Sequence, residues 1–470
     1  LSDQGFHISF PGRASGNFTN KASLLRYLKT LNDFPRYVDE HLGLMRRGLK
    51  EGISQPAIIV QGFAATYNQH VVDDVSQSFF YRPFLKKPVQ VNDKDWDSVA
   101  SAGKIAVEKN IIPQYKRIKK FFEEEYIPAT RKSLGVISYP NGEKYYQQRV
   151  NYFTTTGLSY NQVYETGLKE VARIQADMET VLKEVKFKGS LKEFIAYLRT
   201  DSQFYVSTPE ALLKEASFIT KKIDGQLPRF FGKLPRQPYT VEPVPDYLAP
   251  NYTGGRYSGA SINSTRSGAF WVNTYNLKSR PLYVLEALAL HEAVPGHHLQ
   301  ISLSQELDSV PDFRRNLYVN AFGEGWALYG EYLGIEMGFY KNPYNRFGRL
   351  TYEMWRACRL VIDVGLHAKG WTREQAVNYL ADHTALSLHE VNTEINRYIA
   401  WPGQALSYKM GELKIRELRK KAEEALKENF DIRAFHDMIL SKGTVTLSIL
   451  EKMTERFIAE QQAKLNKKNG

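Results

Sequence analysis

The side chains best suited to chemistry lie in the stretch His291-Glu292-Ala293-Val294-Pro295-Gly296-His297-His298. A histidine followed at once by a glutamate, with further histidines about two turns on, is the composition of a helical zinc site whose glutamate acts as base. On a regular helix, ligands at i and i+4 share one face about 6 Å apart along the axis, which suits two imidazoles on a tetrahedral ion. Here i+4 is Pro295, which cannot ligate. His297 at i+6 lies well round the helix, and His298 at i+7 returns to the face roughly 10 Å further along. Neither shares a metal with His291 on an unbroken helix. Pro295 removes a backbone donor and Gly296 relaxes the φ restriction, so a bulge or break belongs there. Such a break pulls one histidine back into the i+4 place. His297, which directly follows Gly296, is preferred, with His298 as the alternative.

A zinc held by two histidines needs a third protein ligand and one position left for water. The segment NAFGEGWALYGEYLG supplies two glutamates seven residues apart, on one helical face. Glu324 is the candidate ligand, and Glu331 the candidate acceptor for the N–H of a ligating imidazole. Glu292, next to His291, is then the general base. The row NRYIAWPGQALSYKMGE gathers Arg397, Tyr398, Gln404 and Tyr408, a phenol and guanidinium set able to face a developing oxyanion. Arg346, Arg349, Arg356 and Arg359 recur at helical spacings, and one is a candidate for a substrate carboxylate.

The elements that must position these groups are mostly helices. Apolar periodicity marks helical segments at Leu24 to Leu49, divided by Pro35, and Trp96 to Arg131, punctuated at Pro113 and Pro128. After the loop YPNGEKYY come Ser159 to Phe187, Leu191 to Arg199 and Pro209 to Ile223. Residues 227–277 change texture, with clustered prolines and then Gly, Ser and Asn. This is the expected boundary between a helical part, 1–226, and a catalytic part, 227–470. Within it Ala269 to Asn273 reads as a strand, either a plain edge strand or one that pairs with an extended peptide. Trp271 and Asn273 are its candidate substrate contacts. Ser279 as cap and Pro281 as first residue open the metal helix. Further helices are expected at Pro311 to Gly338, Tyr344 to Lys369, Thr372 to Ala381, Gly403 to Phe430, Asp431 to Leu440 and Val445 to Gln462.

Composition excludes several classes. The net charge is +12, but Lys and Arg interleave with Glu on helix faces, which is a solvated pattern and not a nucleic-acid stripe. Cys358 is the single cysteine, so neither an intrachain disulfide nor a cysteine zinc site can form. No apolar run is long enough to span a membrane. The sequence opens on Leu1 and not on Met, so an upstream piece is expected to have been removed or left out, any export signal or lipid anchor would have been in it, and an exported setting is slightly favoured over a cytoplasmic one. Triplets starting at Asn17, Asn251 and Asn263 fit the glycosylation acceptor pattern.

Several stretches together, GAFWVNTYNLKSRPLY, ALHEAVPGHHLQ, EGWALYGE, RFGRLTYEMWRACRLVIDVGLH and RYIAWPGQALSYKMGELKIREL, resemble the bacterial family filed as domain of unknown function 885. Its members are regarded as zinc peptidases and are often described as lipoproteins. The resemblance implies a mainly helical, zincin-like fold related to oligopeptidases and angiotensin-converting-enzyme-type metallopeptidases. It puts His291 and Glu324 on ligand positions, Glu292 on the base position, and Arg397-Tyr398 on an Arg-Tyr pair whose tyrosine stabilises the transition state. The expected activity is hydrolysis of short peptides with one zinc per chain. The alternatives are a metal- or peptide-binding protein without catalysis, and a zinc amidase or esterase.

Overall fold

A computed structural model describes residues 5–246 and 248–469, with the side chains of Asn251, Lys468 and Asn469 outside the description. The sugar-acceptor position at Asn251 and the outermost ends of the two expected parts therefore lie beyond it. The chain is mainly helical, with one three-stranded sheet. It divides into two compact units, Leu1–Gly142 and Glu143–Gly470, and not at 226/227. The reason is packing: the helices of residues 143–226 lie against those that carry the expected site.

In the first unit, α1 (Lys21–Lys50) is one helix opened by a capping box between Asn20 and Ser23. Pro35 does not divide it. Leu24, Tyr27, Leu31, Phe34, Val38 and Leu42 form one continuous buried face that outweighs the single lost hydrogen bond. α2 (Asp93–Ala106) runs through a π turn, Val107–Ile111, into α3 (Ile112–Lys120). Pro113 has no N–H to offer the preceding turn, and the wider turn just before it absorbs the mismatch. His7 and His70 are buried here among Phe63, Phe80, Tyr115 and Phe122.

The second unit opens with α4 (Gly142–Thr154), which begins inside the expected loop YPNGEKYY. There follow α5 (Tyr160–Glu184), α6 (Leu191–Thr200) and α7 (Pro209–Asp224), capped by Ser159, Ser190 and Thr208. Three strands come next: β1 (Tyr239–Pro243), β2 (Gly255–Ser258) and β3 (Gly268–Val272). Their order is β1-β3-β2, with β1 parallel and β2 antiparallel to β3. The expected strand is therefore the central one, with both its edges already paired, and it is neither an edge strand nor a free template for a peptide.

The remaining elements are α8 (Leu285–Glu292), α9 (His297–Gln305), α10 (Asn320–Glu336), α11 (Pro343–Ala368), α12 (Arg373–His383), α13 (Leu388–Ala400), α14 (Ser407–Leu426), α15 (Ile432–Leu440) and α16 (Leu447–Asn469). α8 starts later than expected: Pro281 precedes a 3-10 turn, Leu282–Val284, and Ser279 makes no capping hydrogen bond to the helix. The helix expected over Pro311 to Gly338 is split into a short turn, Asp312–Arg315, and α10. α13 was not anticipated.

α11 is the axis of this unit. Every residue from Phe347 to His367 is buried, which requires partners on all sides. Cys358 lies in this stretch, and burial pushes its thiol pKa up. α10 packs along α14 with backbones almost touching: a Cβ on Gly411 would come within 1.9 Å of the Ala321 carbonyl oxygen.

Candidate metal centre

The site is built on the break between α8 and α9. Ala293 to Gly296 leave the helix, with a cis Val294–Pro295 bond, and His298 N–H reaches back to the Ala293 carbonyl at 3.0 Å. Gly296 is needed for close approach and not for a positive φ, since a Cβ there would lie 1.8 Å from the His291 carbonyl oxygen. The Trp326 indole N–H donates to the Pro295 carbonyl at 2.8 Å and ties the break to α10.

This geometry brings His291, His297 and Glu324 together, with all three candidate ligand atoms within 4.8 Å of one another. Glu324 Oε2 lies 3.7 Å from His291 Nε2 and 3.4 Å from His297 Nε2. Zinc bonds of about 2.0–2.2 Å imply tetrahedral edges of roughly 3.3–3.6 Å, so these spacings fit a single zinc-sized ion. The donor set, two imidazoles and a carboxylate, is also one that leaves a position open for water. It is the one such group among the described residues.

The glycines flanking Glu324 explain how it reaches the cluster. Gly323 leaves room for the Tyr318 ring, and Gly325 meets Gly411 backbone to backbone. Both contacts seat this turn of α10 against the cluster.

His291 Nδ1 lies 2.8 Å from Glu331 Oε1, which is also 3.3 Å from Arg356 Nη2. The contact with Glu331 fixes which ring nitrogen, Nε2, faces Glu324 and His297. Burial opposes a charge on His291, but the hydrogen bonds to Glu324 and Glu331 outweigh it and raise its pKa to about 9. Burial likewise works against ionised Glu324, yet the two histidines hold its pKa well below the usual range. The cluster thus presents a field that favours positive charge.

His298 is turned elsewhere. Its Nδ1 is 3.0 Å from the Tyr257 hydroxyl, its ring packs on Tyr239, and burial lowers its pKa to about 4. It fastens α9 to the sheet.

Glu292 is 9% exposed, and its Oε2 accepts the Tyr257 backbone N–H at 2.7 Å, so the outer edge of β2 rests on this carboxylate. Tyr408 lies with its ring near-parallel to that of His291, centroids 6.5 Å apart. Its oxygen accepts from Arg397 at 2.9 Å, which leaves the phenolic proton free to donate. Arg397 also bonds Gln404 and Glu394.

Two expected assignments do not survive the geometry. The Tyr398 hydroxyl is fully engaged: it accepts from Trp355 Nε1 and Arg359 Nε, each at 2.8 Å, and bonds the Glu394 carboxylate. At 1% exposure it has nothing left for a substrate. Asn273 is fully buried, and its amide donates to the carbonyls of Ala249, Tyr252 and Thr253. It is a turn-forming residue. The four α11 arginines are also engaged, Arg346 with Glu184, Arg349 with Glu353, Arg356 with Glu331 and Arg359 with Glu394.

Sequence reasoning missed two residues near the cluster. Tyr318 bonds Glu324 through its phenol, whose pKa is pushed up by burial beside the carboxylates of Glu324 and Glu292. Arg256, on β2, lies in the field of Glu292 and Glu324. Partial burial opposes its charge, but the Tyr252 phenol and those carboxylates outweigh it and raise its pKa.

A family profile described as "Bacterial protein of unknown function (DUF885)" matches residues 3–453. The chain belongs to that family. Among solved structures it is similar to the crystal structure of a "putative lipoprotein" from Colwellia psychrerythraea, with a TM-score of 0.90 and 30% identity over 97% of this chain and 80% of that one. It also shares its fold with a "putative lipoprotein of unknown function" from Shewanella oneidensis, with a TM-score of 0.67 and 19% identity over 96% of this chain and 82% of that one. No curated protein matches the chain. No described helix is long and apolar enough to cross a membrane.

Proposed function

We propose that this chain is a zinc-dependent peptidase of the helical zincin type that hydrolyses short peptides. The observation that carries the reading is the triad of His291, His297 and Glu324, with Glu324 Oε2 3.7 and 3.4 Å from the two imidazole Nε2 atoms and a carboxylate on the residue after His291. Zinc held there by His291, His297 and Glu324 would supply Lewis-acid chemistry, making water more acidic and polarising a carbonyl.

The chain's own residues supply the rest. Glu292 takes the proton of the attacking water and returns it to the leaving amine, a role worth about 10²–10⁴ in rate. The Tyr257 N–H holds one of its oxygens in place. Tyr408, its oxygen bonded by Arg397, donates its proton towards the developing oxyanion, and Tyr318 is a second phenol beside Glu324. Glu331 keeps the His291 ring in the ligating tautomer. An exported setting is part of the same reading, supported by the lipoprotein description of the Colwellia psychrerythraea relative.

The test is elemental analysis combined with peptide turnover. Wild type should carry about one zinc per chain, lost in His291→Ala, His297→Ala and Glu324→Ala, while Glu292→Gln keeps zinc and loses turnover. A Glu292→Gln protein with wild-type turnover, or a wild type that takes up no metal, overturns the proposal.

A further inference from the structure

We infer that Arg256 receives the C-terminal carboxylate of the substrate, so that the peptide is attacked near its C-terminal end. This inference rests on the peptidase reading of the same site. In the β2 register Arg256 stands opposite Trp271, and cross-strand partners share a face. Tyr252 extends that face, its ring edge-on to Trp271 and its phenol bonded to Arg256. The neighbouring residue, Tyr257, points to the other face and is buried, while its N–H is the one that holds Glu292. The Arg256 side chain therefore leaves the sheet one residue from the contact that fixes the general base.

Its partners make it distinct. The other arginines near the site are each matched to a carboxylate, Arg356 to Glu331, Arg359 to Glu394, Arg397 to Glu394 and Arg280 to Glu390. Arg256 is exposed and has no carboxylate within ion-pair distance among the described residues. A guanidinium bonded to a phenol and not to a carboxylate, beside the half-buried Trp271, offers a planar fork for a carboxylate and an aromatic surface for the side chain next to it.

The test measures binding of a tripeptide ending in phenylalanine, as free acid and as C-terminal amide, to zinc-loaded Glu292→Gln protein by calorimetry. A third peptide, an amide carrying an aspartate side chain, separates an α-carboxylate from an acidic side chain. The expected result is tighter binding of the free acid by about 10–100-fold. That ratio should fall to near one in an Arg256→Gln, Glu292→Gln double variant and be partly kept with Arg256→Lys. Equal binding of acid and amide, an equal loss for both in the double variant, or a preference for the aspartyl amide overturns it. Wild-type turnover of the same peptides is the separate readout: if none is cleaved, the peptidase reading fails while the binding ratio still decides the role of Arg256.

Discussion

His291 Nδ1 and Glu331 Oε1 are 2.8 Å apart, and Glu331 sits two helical turns beyond Glu324 on α10. One helix thus supplies both a candidate ligand and the group that orients another. Replacing Glu331 by Gln removes the anionic acceptor at little change in size. Zinc affinity should fall about 10–100-fold, measured by competition with a chromophoric chelator. Unchanged affinity would show that the contact does not tune the imidazole.

The two adjacent histidines should separate cleanly. His297→Ala is expected to lose the metal, whereas His298→Ala should retain it and instead lower stability by about 1–3 kcal/mol through the lost hydrogen bond to the Tyr257 hydroxyl and the lost packing on Tyr239. Metal analysis alongside urea unfolding distinguishes them. The reverse pattern would place His298 on the ion.

The crossing of α10 and α14 makes a sharp prediction about Gly411. In an exposed helix Gly→Ala gains about 1 kcal/mol of propensity. Here the added Cβ would sit 1.9 Å from the Ala321 carbonyl oxygen and 2.8 Å from Gly325 Cα, so overpacking, commonly about 1–3 kcal/mol, outweighs the gain. Gly411→Ala should melt lower than wild type and bind zinc more weakly, because Glu324 lies on the displaced turn. A raised melting temperature would contradict the close crossing.

Acid should weaken the 1–142 unit. Burial lowers the pKa of both His7 and His70 from 6.5 to about 4, with His7 lowered further by the proximity of His70. Their folded pKa values lie below the unfolded ones, so the unfolded chain takes up protons that the fold refuses. The stability they allow is complete above about pH 6.5 and is lost as pH falls towards 4, by at most about 3 kcal/mol for each histidine. Urea midpoints measured from pH 7 to 4.5 should fall, and His70→Phe, in a pocket of Phe79, Phe80 and Tyr115, should flatten the dependence. An equal slope in wild type and variant would assign the acid sensitivity elsewhere.

Much of the site can be read from local chemistry. The helix break at Pro295-Gly296 follows from a missing N–H, and Glu324 stands out by sharing a helical face with Glu331 among Trp326, Ala327, Tyr329 and Tyr332. The DUF885 resemblance adds the family and the mainly helical fold. What stayed hidden depends on partners far away in the chain. Tyr398 and Tyr408 are alike in sequence, and only the contacts of Tyr398 with Trp355, Arg359 and Glu394 show which phenol is occupied. β1 and β2 are four or five residues long and exist through pairing with β3, so Arg256 was buried in what reads as a glycine-rich connection. α13 is legible both in its cap, Ser387, whose side chain accepts the Glu390 N–H, and in Val391, Ile395, Tyr398 and Ile399, which fall at helical spacing on its buried face.

The position of Cys358 gives the protein a built-in reporter. A thiol held un-ionised within α11 is inert to alkylating and mercurial reagents as long as that helix stays packed. The native chain is therefore silent to thiol chemistry, and any labelling that appears with heat or denaturant counts molecules in which the helix bearing Arg356 and Arg359 has opened. The rate of that labelling measures the opening equilibrium around the candidate metal centre without a tag, a probe or a known substrate.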